Sequence, residues 1–276
     1  MLLTLLETLK TNQIQPKHNV LFVGSVGEEG LGDLRGVKHL FREGGPRIDS
    51  WIAIDGGSIG RVNNKALGSY RYRVTFKGPG GHSWGAFGLA NPHHALGEAI
   101  SNFVAAADQY TAQGPKTSYN VGVISGGTSI NSVPFESSMQ IDIRSVEPSR
   151  LDAMEALLEE ATQTALDHQN GIKRRGPDLT LEVEKIGNRP SGELPDTLPL
   201  IQRTLAATTY FGATPYLTRG STNSNIPISK GIPAVTIGRG GNGGKAHSLD
   251  EWWINEEGHK AIQLALVLLL SEAGMD

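Results

Sequence analysis

Two adjacent glutamates, Glu28 and Glu29, are candidate catalytic groups because they lie in a turn bracketed by glycines. The turn follows an apolar run, residues 19–25, which predicts a buried strand. Acids at the carboxyl end of a strand occupy the place where open α/β sheets bind ligands. The alternative at this point is a solvated loop that carries two surface carboxylates.

Asp55 and His247 lie beyond two further predicted strands, residues 51–54 and 232–237. Because parallel strands end at one sheet edge, we expect both side chains to converge with the acid pair. Carboxylates and imidazole are ligands that suit Zn²⁺, Mn²⁺ or Co²⁺. Taken singly, Asp55 is equally well an ordinary turn aspartate and His247 a surface histidine.

The acid pair suggests a division of labour at such a metal. A bound divalent ion lowers the pKa of its water from about 15.7 to about 7. A nearby carboxylate that is not a ligand can then accept the proton. Adjacent glutamates in an extended turn point in different directions, so one can face the metal while the other faces the water.

The composition excludes several other classes. Cysteine is absent, so disulfides and thiolate ligands are excluded, and any metal must be held by histidine and carboxylates. The net charge of −3 gives no electrostatic basis for binding nucleic acid. The longest apolar run, within residues 262–270, is too short to span a bilayer, and the first residues lack a signal-peptide pattern. We expect a cytoplasmic protein.

A glycine-rich loop, Gly238–Lys245, invites a phosphate-binding interpretation but does not match the P-loop pattern. Ala246 stands where that pattern has Ser or Thr, and no helix follows within reach. A sugar- or nucleotide-binding α/β protein remains an alternative, and it predicts no metal dependence.

The hydrophobic patterns predict two domains. Alternating helices and strands in residues 1–67 and 187–276 predict an α/β domain with a mainly parallel sheet and flanking helices. Residues 68–186 follow the order βαββαβ, which is ferredoxin-like and makes this segment an inserted α+β domain. In the outer domain we predict a first helix to about Thr11 and a second helix capped by Asp33 that runs to Phe41.

The inserted domain carries three candidate substrate-binding residues. His82 follows an edge-type strand in an exposed-looking glycine loop and is suited to hydrogen-bond an oxyanion. Asn131 and Arg144 are suited to bind a carbonyl and a carboxylate respectively. The alternative for Arg144 is an ion pair on the face of its own strand.

The chain resembles the M20 metallopeptidases, a family that includes aminoacylases, acetylornithine deacetylase, succinyl-diaminopimelate desuccinylase, carboxypeptidase G and tripeptide aminopeptidase. The resemblance rests on motifs that occur in family order over nearly the whole chain. These motifs are Val26–Gly30, Ile54–Gly56, Gly80–Ser83, Gly126–Pro134, Gly231–Val235 and Ala246–Glu251. It implies a zinc-dependent hydrolase of amide bonds in small peptides or N-acyl amino acids, with cobalt or manganese as other possible metals.

The resemblance also implies roles for the candidate residues. Glu28 matches the general base, Glu29 and His247 match ligands of one zinc ion, and Asp55 matches a ligand of the other. His82 is similar to a lid histidine that reaches the neighbouring subunit's site in dimeric members. Asn131 and Arg144 match lid positions that hold the substrate. The inserted domain corresponds to the lid that forms the family's homodimers.

The chain departs from the family pattern, above all at the metal site. Family members begin with a segment that carries His-x-Asp and a later bridging Asp, and neither has a counterpart here. By the size of a complete outer domain, about 100 residues are expected before Met1. Asn223 stands where relatives usually have Asp. The alternative to an enzyme is therefore a non-catalytic, truncated remnant that dimerises through its lid and lacks a complete dinuclear site.

Overall fold

The computed structural model describes residues 1–275, which form two compact units. Unit 1 comprises Met1–Leu67 and the chain from Pro190 onward, and unit 2 comprises Gly68–Arg189. The second boundary lies a few residues beyond position 186, because the last strand of unit 2 continues to Arg189.

The described chain contains seven α-helices and thirteen strands, numbered here in chain order. The helices are α1 (Leu2–Thr11), α2 (Arg35–Leu40), α3 (Pro92–Thr111), α4 (Pro148–Ile172), α5 (Pro199–Tyr210), α6 (Asn225–Ser229) and α7 (Gly258–Ala273). The strands are β1 (Trp51–Asp55), β2 (Arg61–Ala66), β3 (Gly68–Lys77), β4 (Gly81–His82), β5 (Thr117–Gly126), β6 (Ser132–Val133), β7 (Glu136–Ser145), β8 (Thr180–Arg189), β9 (Gly192–Glu193), β10 (Tyr216–Gly220), β11 (Ala234–Gly238), β12 (Asn242–Gly244) and β13 (Trp252–Ile254).

Unit 1 is built on a mixed sheet with the strand order β1-β11-β2-β10, and β9 also pairs with β2. β1 and β11 are parallel, as are β2 and β10, whereas β2 runs antiparallel to β11 and β9. The sheet is therefore less uniformly parallel than the βα alternation suggests. Strand β2 escaped prediction because its centre holds two asparagines, Asn63 and Asn64, which are both fully buried.

The prediction of a strand at residues 19–25 is wrong, because these residues form no strand in the structure. A strand needs a neighbour to complete its hydrogen-bond ladder. Within residues 1–275, β1 pairs on one side with β11, and no strand pairs along its other side. The apolar run still packs, because Phe22 is half-buried against the core of unit 1, while Leu21 is exposed.

The helix predicted from Asp33 to Phe41 forms, but it is shorter and begins at Arg35. Asp33 and Leu34 both have positive φ values, 50° and 60°, which are incompatible with a helix. The carboxylate of Asp33 does not cap the helix as predicted and instead accepts a 2.5 Å hydrogen bond from Lys38 Nζ. The first predicted helix is confirmed as α1.

The core of unit 1 lies between its sheet and three helices. Leu5 of α1, Ile201 of α5 and Leu264 of α7 are fully buried with Val62 and Ile237 of the sheet. Helix α5 confirms its prediction over residues 199–210, and α7 forms the predicted terminal helix. This packing fixes β1 and β11, whose carboxyl ends carry candidate site residues.

Unit 2 confirms the βαββαβ order. Its four main strands form an antiparallel sheet with the order β5-β7-β3-β8, and α3 packs against α4 and the sheet. The apolar stripe predicted on α4 is present, because Met154, Leu158 and Ala161 are buried in this core. A short antiparallel ribbon, β4 with β6, lies outside the main sheet.

Candidate functional site

The acid pair lies in a tightly folded turn that glycines make possible. The amide of Gly32 donates to the carbonyl of Glu29 (2.8 Å) at the start of a 3₁₀ turn, Gly30–Gly32. A Cβ atom on Gly32 would lie only 2.6 Å from the Cα atom of Gly27, whose own φ is +62°. Side chains at either position would therefore force the turn open.

The acid turn is anchored to β1 and α6. The amide of Gly36 donates to the carbonyl of Val26 (3.0 Å), which closes the loop onto α2. Helix α2 then buries Val37 in a small cluster with Ile226 of α6, against Trp51 at the start of β1. Glu28 is half-buried at this position and Glu29 is exposed.

Asp55 ends β1 directly beside the end of β11, as the sequence predicted for two parallel strands. Asp55 is in register with Gly238, and its carbonyl accepts from the amide of Arg239 (2.9 Å). The Asp55 carboxylate accepts a 2.6 Å hydrogen bond from the amide of Gly56. A Cβ atom on Gly238 would approach the carbonyl oxygen of Ser58 to 2.1 Å, so this strand end requires glycine.

His247 lies in the exposed loop between β12 and β13. Its amide donates to the Glu251 carboxylate (3.0 Å), and Lys245 pairs with Asp250 across the same loop (3.1 Å). His247 has a φ of +66°, which is uncommon for a residue with a side chain. The imidazole is solvent-exposed.

The four residues do not form a complete metal centre. Among residues 1–275, no group of three or more His, Cys, Asp or Glu side chains is placed to hold a metal ion. A zinc site normally has at least three protein ligands. The donor types of Glu29, Asp55 and His247 suit zinc, but their arrangement does not supply such a set, and their role as ligands stays a prediction.

Two of the predicted substrate-binding residues of unit 2 share the β4–β6 ribbon. His82 pairs in register with Ser132, and the amide of Ser83 donates to the carbonyl of Asn131 (2.8 Å). Both His82 and Asn131 are exposed. The ribbon is joined to the main sheet where the amide of Gly78 donates to the carbonyl of Phe135 (2.8 Å).

Arg144 is engaged on the face of β7, as its alternative interpretation predicted. Its Nε donates to Asp142 (2.7 Å), and Arg71 of β3 donates to the same carboxylate (2.8 Å). Burial alone would raise the pKa of Asp142, but the hydrogen bonds and charges of the two arginines outweigh it and hold that pKa below its usual range. A role for Arg144 in substrate binding stays a prediction.

Sequence reasoning missed a buried polar network beside the acid turn. The hydroxyl of Thr236 lies 2.8 Å from that of Thr222 and 2.7 Å from that of Ser224. The Asn225 side-chain amide donates to the carbonyls of Leu67 and Pro190. The signal was a run of short polar residues, 221–225, directly after a strand, which is typical of loops and gave no hint of burial.

Comparison with known proteins identifies unit 2 more closely. Residues 64–170 match the family model of the M20 peptidase dimerisation domain. This range covers most of the βαββαβ unit. No protein of curated function matches the sequence.

Solved structures extend the likeness to both units. Aminopeptidase PepT from Bacillus cereus is 22% identical, with a TM-score of 0.70, over 98% of this chain and 68% of that one. A tripeptidase from Staphylococcus aureus is 21% identical, with a TM-score of 0.74 and the same coverage. An aminobenzoyl-glutamate utilization protein from Klebsiella pneumoniae is 15% identical, with a TM-score of 0.66, over 99% of this chain and 65% of that one.

Both units thus share their fold with these solved structures. The family model assigns the dimerisation domain of unit 2, while the likeness to the solved structures over the rest of the chain is one of fold.

Proposed function

We propose that this chain is a hydrolase of amide bonds in small peptides or N-acyl amino acids. The observation that carries the proposal is the glycine-constrained turn that presents Glu28 and Glu29 within an M20-type fold. The similar structures include an aminopeptidase, a tripeptidase and amidases, which act on amide bonds.

In this proposal Glu28 accepts a proton from the attacking water and passes it to the leaving amine. Its half-buried position in a turn closed by backbone hydrogen bonds supports this role, because a general base must be held in place. His82 and Asn131 contribute N–H donors to the substrate's carbonyl oxygen. Zinc is the proposed metal, with Glu29, Asp55 and His247 as candidate ligands.

We further propose that the protein is a cytoplasmic homodimer that pairs through unit 2. Both β5 and β8 are edge strands of the unit 2 sheet. Strand β8 carries charged side chains that discourage edge pairing, whereas β5 has none and exposes Val123 and Ile124. Strand β5 is therefore the edge suited to pair with a second copy. Within the described residues, no helix is both long and apolar enough to cross a membrane.

The second candidate is a non-catalytic protein that dimerises through unit 2. The observation that favours it is the lack of a three-ligand metal group among residues 1–275. This candidate predicts dimers without stoichiometric metal and without turnover.

Two measurements on the purified chain separate the candidates. Metal content is determined by elemental analysis, and hydrolysis is followed on a panel of dipeptides, tripeptides and N-acetyl amino acids. The hydrolase predicts bound metal and turnover that falls about 10²-fold or more in Glu28→Gln, while Glu43→Gln, an exposed glutamate of the same unit, keeps wild-type rates. Turnover that survives Glu28→Gln with metal bound would refute the assigned base.

A further inference from the structure

The β4–β6 ribbon holds two exposed polar side chains whose hydrogen-bonding polarity is set by neighbours. His82 and Asn131 each have one donor end and one acceptor end when the imidazole is neutral. Which end faces solvent decides whether the ribbon attracts an oxygen atom or an N–H group.

Asn131 is oriented by Ser129. The Ser129 hydroxyl donates to Asn131 Oδ1 at 2.5 Å, and the amide of Ser132 donates to the carbonyl of Ser129 (3.2 Å), which closes this short turn. Because Oδ1 is held toward Ser129, the Nδ2 amide group lies at the opposite end of the side chain and is its donor toward a ligand.

His82 is oriented by the backbone. The amide of Trp84 donates to His82 Nδ1 at 3.3 Å, and the amide of Ala86 donates to the carbonyl of His82 (2.7 Å). A backbone N–H can only donate, so Nδ1 is unprotonated and the neutral ring carries its proton on Nε2. The donor nitrogen of His82 is thus the one directed away from its own loop.

The base of the ribbon is also fixed. The His93 ring lies 2.7 Å from the Ser137 hydroxyl, and a Cβ atom on Gly127 would come within 2.6 Å of His93 Nε2. Gly127 has a φ of +76°, so the turn that leads to Ser129 both needs a glycine and packs on this histidine.

We propose that Ser129 is a positioning residue that, together with the Trp84 backbone, makes the β4–β6 ribbon a surface of N–H donors for a carbonyl or carboxylate oxygen of the substrate. The proposal rests on the hydrolase function proposed above for the identity of the ligand. The orientation of the two side chains is a property of the ribbon alone, and it can be measured without turnover.

The first test is by NMR on the ¹⁵N-labelled full chain. Long-range ¹H–¹⁵N spectra of His82 are expected to show the Nε2–H tautomer. In Ser129→Ala the side-chain amide resonances of Asn131 are expected to shift and broaden, whereas Ser129→Thr retains the hydroxyl and the wild-type pattern. Ser125→Ala is the control, because its hydroxyl pairs with Ser138 on the main sheet. An Nδ1–H tautomer, or unchanged Asn131 resonances in Ser129→Ala, would overturn the proposal.

The second test uses the substrate panel. Loss of one neutral hydrogen bond, worth about 1 kcal/mol, is expected to lower kcat/KM about five-fold in Ser129→Ala, with recovery in Ser129→Thr. An unchanged kcat/KM in an active protein would overturn the proposal while leaving the hydrolase function intact. If the wild-type chain cleaves no substrate, the hydrolase function fails, and the NMR result still decides the role of Ser129.

Discussion

Replacing Asn225 with alanine tests whether the buried polar network organises unit 1. Asn225 is fully buried, and its Nδ2 donates to the carbonyls of Leu67 (2.8 Å) and Pro190 (3.0 Å). Its Oδ1 accepts from the amide of Thr222 (2.9 Å). Leu67 is the last residue of unit 1 before the chain enters unit 2, and Pro190 is the first residue after it returns. The Asn225 side chain therefore links the two segments of unit 1 at their boundaries.

The expected cost follows from these three hydrogen bonds. Each contributes about 1 kcal/mol net, and a buried partner left unsatisfied costs about 1–3 kcal/mol. We therefore expect Asn225→Ala to lower the free energy of unfolding by about 3–5 kcal/mol, with the loss concentrated in unit 1. Asn223→Ala is the matched control, since that half-buried asparagine makes a long 3.5 Å contact with Ser25 and should cost about 0.5 kcal/mol or less.

Urea unfolding followed by tryptophan fluorescence provides the assay. Trp84 is the tryptophan in unit 2, whereas Trp51, Trp252 and Trp253 belong to unit 1. In a Trp84→Phe background the fluorescence therefore reports on unit 1 alone. If Asn225→Ala lowers the free energy of unfolding by less than about 1 kcal/mol, or by no more than Asn223→Ala does, the network does not hold the two segments of unit 1 together.

Three further predictions concern the strand ends, the arginine pair and the dimer. Gly238→Ala should destabilise unit 1 by about 1–3 kcal/mol because the new Cβ atom would overlap the Ser58 carbonyl. Gly56→Ala is the control and should lower the stability much less, because a Cβ atom there meets nothing within 4 Å. Thermal melts compare the two variants. The folded-state pKa of Asp142 is depressed, so the stabilisation from its carboxylate is present above its unfolded pKa of about 3.9 and is lost as the pH falls through the folded value. The difference in unfolding free energy between wild type and Asp142→Asn should therefore shrink below about pH 4, which urea titrations at several pH values would show. A difference that stays constant from pH 7 to pH 3 would contradict this. Ile124→Glu places a charge on the exposed β5 edge and should convert the proposed dimer to a monomer in analytical ultracentrifugation, while Val183→Glu on β8 should not.

Unit 2 was predictable because its strands alternate in polarity. In β3, Tyr72, Val74 and Phe76 are buried while Arg71 and Arg73 make ion pairs on the other face. This period of two is visible in the sequence and fixes both the element and the face that it buries.

Unit 1 was less predictable because its strands depend on distant partners. The apolar run at 19–25 looks like a strand, but its sequence does not encode a neighbour, and it forms none in the described chain. Strand β2 has the opposite problem, since Asn63 and Asn64 look like loop residues. Their side chains are buried because Asn64 donates to Asp196 (2.7 Å) and Asn63 accepts from Thr218 (3.3 Å), which are partners more than 100 positions away.

The candidate site likewise has parts that the sequence predicts and parts that it does not. The glycines around Glu28 and Glu29 predicted a tight turn. The position of Asp55 beside Gly238 followed from the prediction of two parallel strands. The position of His247 could not be predicted in this way. Its loop connects the two strands of a hairpin, β12 and β13, and the short glycine-rich strand β12 carries no hydrophobic pattern.

The degree of constraint differs sharply among the candidate residues. A Cβ atom would come within 2.6 Å of neighbouring backbone at Gly32 of the acid turn and at Gly238 beside Asp55, so the backbone at both places is closely packed. His247 instead lies in an exposed loop where both it and Lys245 have positive φ values, a conformation that costs free energy for residues with side chains. Within residues 1–275, the strands that flank this loop, β12 and β13, pair only with each other and not with the main sheet of unit 1. Metal content measured on the intact chain therefore tests above all whether the His247 side chain can bind a metal ion together with Glu29 or Asp55.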